Sequence, residues 1–188
     1  MNGQILKVAR KFVAEDISVI VPDFYRGKVG KDREMAGHLM HNLDFPKAVQ
    51  DIAHCCDYLK THGCQDVYVT GYCMGGALSL LSICRVPGLA GASSYYGIPS
   101  ALSDADLSAI GNKPLQLHYG SADESKGFSS PSDYAALSTR LNNHNVTFKS
   151  YEYKDQPHGF VNPLNKGDPA AAQLALSRTF QFFLKKIL

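Results

Sequence analysis

A chain of 188 residues, 45% hydrophobic and 19% charged, has the size of one domain and the composition of an ordinary folded protein, which excludes a disordered or fibrous chain. Its formal net charge is only +2, with Lys and Arg scattered rather than clustered, so nothing marks it for a nucleic-acid backbone. The longest apolar runs fall far short of the roughly 20 residues of a membrane helix, and the charged amino terminus is not a secretory signal, so no membrane partner and a cytoplasmic address are expected.

Residues 2–15 set Ile5, Leu6, Ala9, Phe12 and Val13 at helical spacing, with Asn2 as the cap. The β-branched run 17–21 reads as a buried strand stopped by Pro22 and Asp23. Residues 28–45 are mixed, with only a weak helical stripe of Met35, Leu39, Met40 and Leu43. A clearer helix is expected over 45–62, from Val49, Ile52, Ala53, Cys56 and Leu59, closed by Gly63 in a left-handed position. A strand over 66–70 and a helix over 74–84 follow, then strands over 89–96 and 115–119. A helix over 131–143, a strand over 146–153 and a final helix over 169–187, with Pro169 in its first turn, complete the chain. Five strands alternating with helices imply crossover units, hence a mostly parallel sheet covered on both faces in a three-layer α/β/α arrangement, as a single domain over 1–188. Functional residues of such sheets gather in loops past the carboxyl ends of strands.

The most informative of these loops is GlyTyrCysMetGlyGly, 71–76, set directly between a strand and a helix. A nucleophile at such an elbow sits in a strained backbone conformation, so Gly71 and Gly75 answer the need for small neighbours, while Gly76 and Ala77 let the helix pack closely. Cys73 then lies near a helix amino terminus, where free N–H groups and the helix dipole stabilise negative charge, and the N–H of Met74 is a candidate oxyanion donor. The bland alternative is a glycine-rich turn with an incidental cysteine. Two further loops hold Asp123, in GlySerAlaAspGlu, and His158, in ProHisGlyPhe. The chain order of nucleophile, acid and histidine is that of α/β-hydrolases, with His158 to carry protons and Asp123 to fix its tautomer. Glu124 is the rival acid, and Asp123 has the simpler alternative of a turn residue bonding its own backbone.

Five cysteines are an odd number, and Cys55, Cys56, Cys64 and Cys84 form neither a CxxC pair nor a zinc spacing, so reduced thiols are expected. His38, His41, His54, His62 and His144 lack partner spacing, and His118, inside a strand, reads as a satisfied core or rim histidine. No metal is expected.

The sequence resembles the dienelactone hydrolase (carboxymethylenebutenolidase-like) family through ValProAspPheTyrArgGly at 21–27, GlyTyrCysMetGlyGlyAla at 71–77, SerTyrTyrGly at 94–97, GlySerAlaAsp at 120–123 and HisGlyPhe at 158–160. The resemblance implies an α/β-hydrolase fold, a Cys73–Asp123–His158 triad, no cofactor, and hydrolysis of lactones or activated carboxylic esters through an acyl-thioester intermediate. It implies that Arg26, with Tyr25 and Tyr72, contacts the substrate, Arg26 by holding a carboxylate; a surface salt bridge is the alternative for Arg26. A second arginine of the family falls at Asn162.

Family members carry roughly fifty more residues before the first helix, by resemblance holding three strands and a loop with the second oxyanion donor. An amino-terminally truncated fold is therefore expected, with exposed strand edges open to self-association and, for one lost donor, a rate loss on the order of a hundredfold. The competing expectation is a catalytically silent fragment serving as an interaction module.

Overall fold

The computed structural model describes residues 3–162, 164–185 and 188, the side chain of Arg33 excepted. It divides into two compact units, Met1–Gln65 and Asp66–Leu188. Among the described residues no helix is long and apolar enough to cross a membrane.

The first unit is helical. Helix α1 (Gly3–Val13) buries Phe12, and its expected cap, Asn2, lies outside the described residues. The mixed segment resolves into helix α2 (Arg33–His41), started by Asp32, whose carboxylate accepts the Met35 N–H at 2.7 Å. Helix α3 (Phe45–Thr61) begins the same way, with Asp44 accepting the Lys47 N–H at 2.9 Å and Pro46 in the first turn. It buries Ala48, Val49, Ile52 and Cys56 and stops before Gly63, which takes the expected positive φ of 93°.

Residues 17–21, expected as a strand, form none. A β-branched run favours extended backbone, but a strand exists only where a neighbour takes up its ladder hydrogen bonds, and no described strand pairs with this one. Among the described residues the sheet accordingly has four strands rather than the five expected.

All four lie in the second unit: β1 (Tyr68–Tyr72), β2 (Gly91–Tyr95), β3 (Leu115–Gly120) and β4 (Phe148–Tyr153), parallel and in sequence order across the sheet. Strand β1 runs two residues past the expected end, because Gly71 and Tyr72 pair with Ser94 and Tyr95. Parallel neighbours require crossovers, supplied by helices α4 (Met74–Arg85), α5 (Asp104–Ile110) and α6 (Pro131–Asn143). The final helix is α7 (Pro169–Lys185), and Ile187, the expected end of that helix, is outside the described residues.

Strand alternation sorts the helices into layers. On one face Ser94 bonds the Gly76 carbonyl of α4 and Tyr119 stacks on Tyr134 of α6. On the other, Ser93 and Tyr95 bond Thr179 of α7 at 2.9 and 2.6 Å, and Tyr68 packs on Phe182 and Phe183. The unit is thus an α/β/α sandwich. Helix α5 was not foreseen, although its start is a capping box in which Ser103 and Asp106 satisfy each other's N–H groups. Asp106 also receives Arg85 through two bonds, 2.7 and 3.1 Å, tying the end of α4 to α5.

His118 is a satisfied core histidine. Fully buried, it accepts from the Tyr153 hydroxyl at Nδ1 and donates from Nε2 to Gln116, while its ring stacks on Tyr95 at 4.3 Å. Burial, with help from the nearby Arg178 charge, lowers its pKa to about 3, so it is neutral around pH 7. Arg178 itself lies over the Tyr151 ring, 4.2 Å from its centroid.

Candidate active site

Because the strands are parallel and in register, Tyr72 pairs with Tyr95 and Gly120 with Tyr153, so the loops after β1, β3 and β4 leave one edge of the sheet. The first of these loops is a single residue. Cys73 joins β1 directly to α4 with φ 56° and ψ −118°, a conformation that L residues other than glycine avoid. Its N–H is held by the Tyr95 carbonyl and its own carbonyl accepts the Ala77 N–H, both at 3.0 Å, so the packed sheet and helix impose the strain.

Glycine is required before the elbow and not after it. A Cβ at Gly71 would collide with the backbone of Gly75, whereas a Cβ at Gly75 would meet nothing within 4 Å. The sequence expectation that both positions must be small therefore holds for Gly71 alone. The backbone strain makes its own prediction. Glycine usually costs about 0.5–1 kcal/mol relative to alanine, but at position 73 the order should invert, Cys73→Gly melting above Cys73→Ala in thermal unfolding. The reverse order would show that the positive φ is not strained.

The other two loops are laced together. Ser121 N–H donates to the Tyr153 carbonyl and Ala122 N–H to the Gln156 carbonyl, at 2.9 and 3.0 Å, which holds Asp123 against the segment carrying His158. Asn165 Nδ2 donates to the carbonyls of His158 and Gly159, fixing the histidine loop from behind.

The three side chains converge. His158 Nε2 is 3.1 Å from Cys73 Sγ, and Nδ1 is 2.9 Å from Asp123 Oδ2. Asp123 is buried and Glu124 is exposed, so the former is the acid brought to the ring. Both readings of Asp123 apply at once: Oδ1 accepts the Ser125 N–H as in an ordinary turn, while Oδ2 faces the imidazole. An ionised carboxylate can only accept, so Nδ1 carries a proton toward it, and Nε2 is the nitrogen turned to sulfur.

Burial by itself would lower the His158 pKa, but the hydrogen bonds to Cys73 and Asp123, together with their charge, overcome it and raise the pKa to about 9. The imidazolium side chain retains 30% exposure, enough to meet a ligand from one side. Two aromatic walls flank it: Tyr96 of the SerTyrTyrGly motif, edge-on at 5.1 Å, and Phe128, which no motif marked, at 6.0 Å. A second unforeseen neighbour is Ser129, whose hydroxyl lies 2.8 Å from Asp123 Oδ2 and 3.0 Å from His158 Nδ1. Ser129 sits in a SerSerProSer run that reads as cap and turn, and no motif spacing marks it.

Met74 is the first residue of α4 and follows Cys73 directly in the chain. The ring of Tyr72 packs on Tyr95 and Tyr96 at 4.7 and 6.4 Å, and its hydroxyl is enclosed, with burial pushing its pKa up. Whatever Tyr72 offers a substrate is therefore ring surface rather than a hydroxyl. Within the first unit Arg26 Nη2 is paired with Asp51 Oδ2 at 2.6 Å, the salt-bridge alternative, and with Tyr25 it borders an open cavity of about 390 Å³. Among the described residues no group of three or more His, Cys, Asp or Glu is gathered to hold a metal ion.

The chain is 28% identical to Protein usf of Aquifex pyrophilus over 193 residues, 96% of this chain and 80% of that protein. It is also 28% identical over 107 residues to an Aquifex aeolicus protein named "Putative carboxymethylenebutenolidase", an alignment covering 52% of this chain and 45% of the relative. The fold is shared with the crystal structure of a "Putative Dienelactone Hydrolase" from Klebsiella pneumoniae, at a TM-score of 0.84 and 20% identity over 97% of this chain and 81% of that one. The dienelactone hydrolase family model itself matches residues 1–187, nearly the full length on which the elbow, the acid loop and the histidine loop are strung. By that match, on a sheet of the α/β-hydrolase type, the chain belongs to the dienelactone hydrolase family.

Proposed function

We propose that this chain hydrolyses carboxylic ester or lactone bonds with Cys73 as nucleophile, His158 as proton carrier and Asp123 as the group that orients and charges the imidazole. The observation that carries this reading is the 3.1 Å approach of His158 Nε2 to Cys73 Sγ, with Asp123 Oδ2 2.9 Å from the opposite nitrogen. Sulfur attacks the carbonyl carbon, and the displaced electron pair moves to oxygen, where the Met74 N–H donates. Collapse expels the alkoxide, which takes the Nε2 proton and leaves as an alcohol, or stays tethered if the substrate is a lactone. Water then attacks the thioester, passes a proton back to Nε2 and releases the acid as sulfur departs. One water and one ester thus become one acid and one alcohol, and the protein is restored.

Incubation with an activated aryl ester and intact-mass measurement tests this. A single acyl adduct is expected, absent in Cys73→Ala and in His158→Ala. Adducts that survive His158→Ala, or that map to Cys55, would leave the catalytically silent interaction module as the better reading.

The raised His158 pKa gives the reaction an alkaline limb. The imidazolium is the acid that protonates the leaving group, and it is lost as pH rises through about 9, so kcat/KM should fall about tenfold per unit above that value. Asp123→Asn removes one of the causes of the raised pKa, and the limb should move to lower pH. A limb that stays in place would show that Asp123 does not act on the ring.

A further inference from the structure

We infer that Ser129 is a positioning residue of this site, holding the Asp123 carboxylate against the His158 ring through a hydroxyl shared between them. The inference deepens the hydrolase reading and rests on it for its kinetic consequences.

Asp123 Oδ2 can only accept, so the Ser129 hydroxyl hydrogen goes to it at 2.8 Å, and the serine oxygen then turns a lone pair toward the Nδ1 hydrogen at 3.0 Å. His158 Nδ1–H thus has two acceptors, Asp123 Oδ2 at 2.9 Å and Ser129 Oγ, and cannot swing toward one without losing the other.

The Ser129 hydroxyl is not the cap of the helix that follows it. The cap of α6 is its neighbour Ser130, whose hydroxyl oxygen accepts the Asp133 N–H and whose own N–H donates to the Asp133 carboxylate in return. The Ser129 side chain is fully buried, and its hydroxyl bonds Asp123 and His158.

The hydroxyl is also held from below. The Ser125 carbonyl accepts the N–H groups of Phe128, Ser129 and Ser130, and the Ser125 N–H returns to Asp123 Oδ1. Asp123 therefore grips both ends of one tight turn, Oδ1 at Ser125 and Oδ2 at Ser129, and the capped start of α6 anchors the turn. Without the hydroxyl, Oδ2 loses a donor in a buried place and the ring loses its second restraint, so the carboxylate and the imidazole can rotate out of line.

Ser129→Ala removes one oxygen and little volume. With an activated ester its kcat should drop roughly 10- to 100-fold, the size of one hydrogen bond to a charged group, at unchanged KM. In an Asp123→Asn background the same change should cost less than about threefold, because the group it positions is already gone. An equal loss in both backgrounds, or none in either, would overturn the inference, since a merely structural serine lowers Tm without this coupling.

A second measurement does not depend on turnover. The Nδ1 proton of His158, followed by nitrogen-15 NMR, should be a protected resonance in the parent protein and broaden or vanish in Ser129→Ala. A resonance that persists unchanged would equally overturn the inference. If the parent shows no Cys73-dependent hydrolysis, the hydrolase reading fails, and this resonance still decides the role of Ser129.

Discussion

His158→Ala is expected to reduce kcat/KM toward an activated ester by about 10,000-fold or more, with the protein still folded. The expected size follows from the proposed mechanism: if sulfur, imidazole and carboxylate act as one unit, removing one member forfeits nearly all they do together. The imidazole stands within 3.1 Å of Sγ and within 2.9 Å of Oδ2, so alanine leaves the sulfur without a proton carrier and the buried carboxylate without its charged partner. The fold should tolerate the change, because the histidine loop is held by backbone and side-chain bonds from Asn165 that do not involve the ring. Steady-state kinetics with circular dichroism checks both halves. A variant that keeps a tenth of the parent rate would require a different proton carrier.

Gly97→Ala is expected to destabilise the second unit strongly. A Cβ there would overlap the Cys73 carbonyl oxygen and press on the Ala77 amide at 2.8 Å, atoms that belong to the elbow and the first turn of α4. Neither can give way easily, since the Cys73 carbonyl already accepts the Ala77 N–H and the Gly97 N–H is itself bound to the Tyr134 hydroxyl at 3.0 Å. Overpacking of this kind costs about 3 kcal/mol, or a fall in Tm of roughly 6–12 °C, and the displaced sulfur should lose activity as well. Gly75→Ala is the control: it lies in the same helix start with nothing within 4 Å, and alanine's helix propensity should leave Tm unchanged or slightly higher. Equal melting of the two variants would mean that the close approach at Gly97 is relieved elsewhere at little cost.

Much of this molecule was legible from local chemistry. Helix α6 was foreseen to the residue, because Pro131 fixes its first turn and the Asn143 end coincides with the end of the periodic pattern. The same chemistry announced α5, through Ser103 and Asp106, and went unread. The elbow could be recognised because a glycine, a nucleophile and a helix start must be adjacent in sequence for that turn to exist. The order of Cys73, Asp123 and His158 followed from where each strand ends.

Other properties were decided only when distant segments met. Residues 17–21 have strand composition and no strand, since pairing is a property of two segments and not of one. Gly71 and Gly75 look alike in the motif, yet only the packing of α4 against the end of β1 separates a position that excludes a methyl group from one that accepts it. The choice of Asp123 over Glu124, the flanking of His158 by Tyr96 and Phe128, and the shared hydroxyl of Ser129 arise from three loops closing on one sheet edge. Sequence spacing reports which side chains leave the same edge; whether they meet within hydrogen-bonding distance depends on backbone contacts between loops dozens of residues apart, which no local pattern encodes.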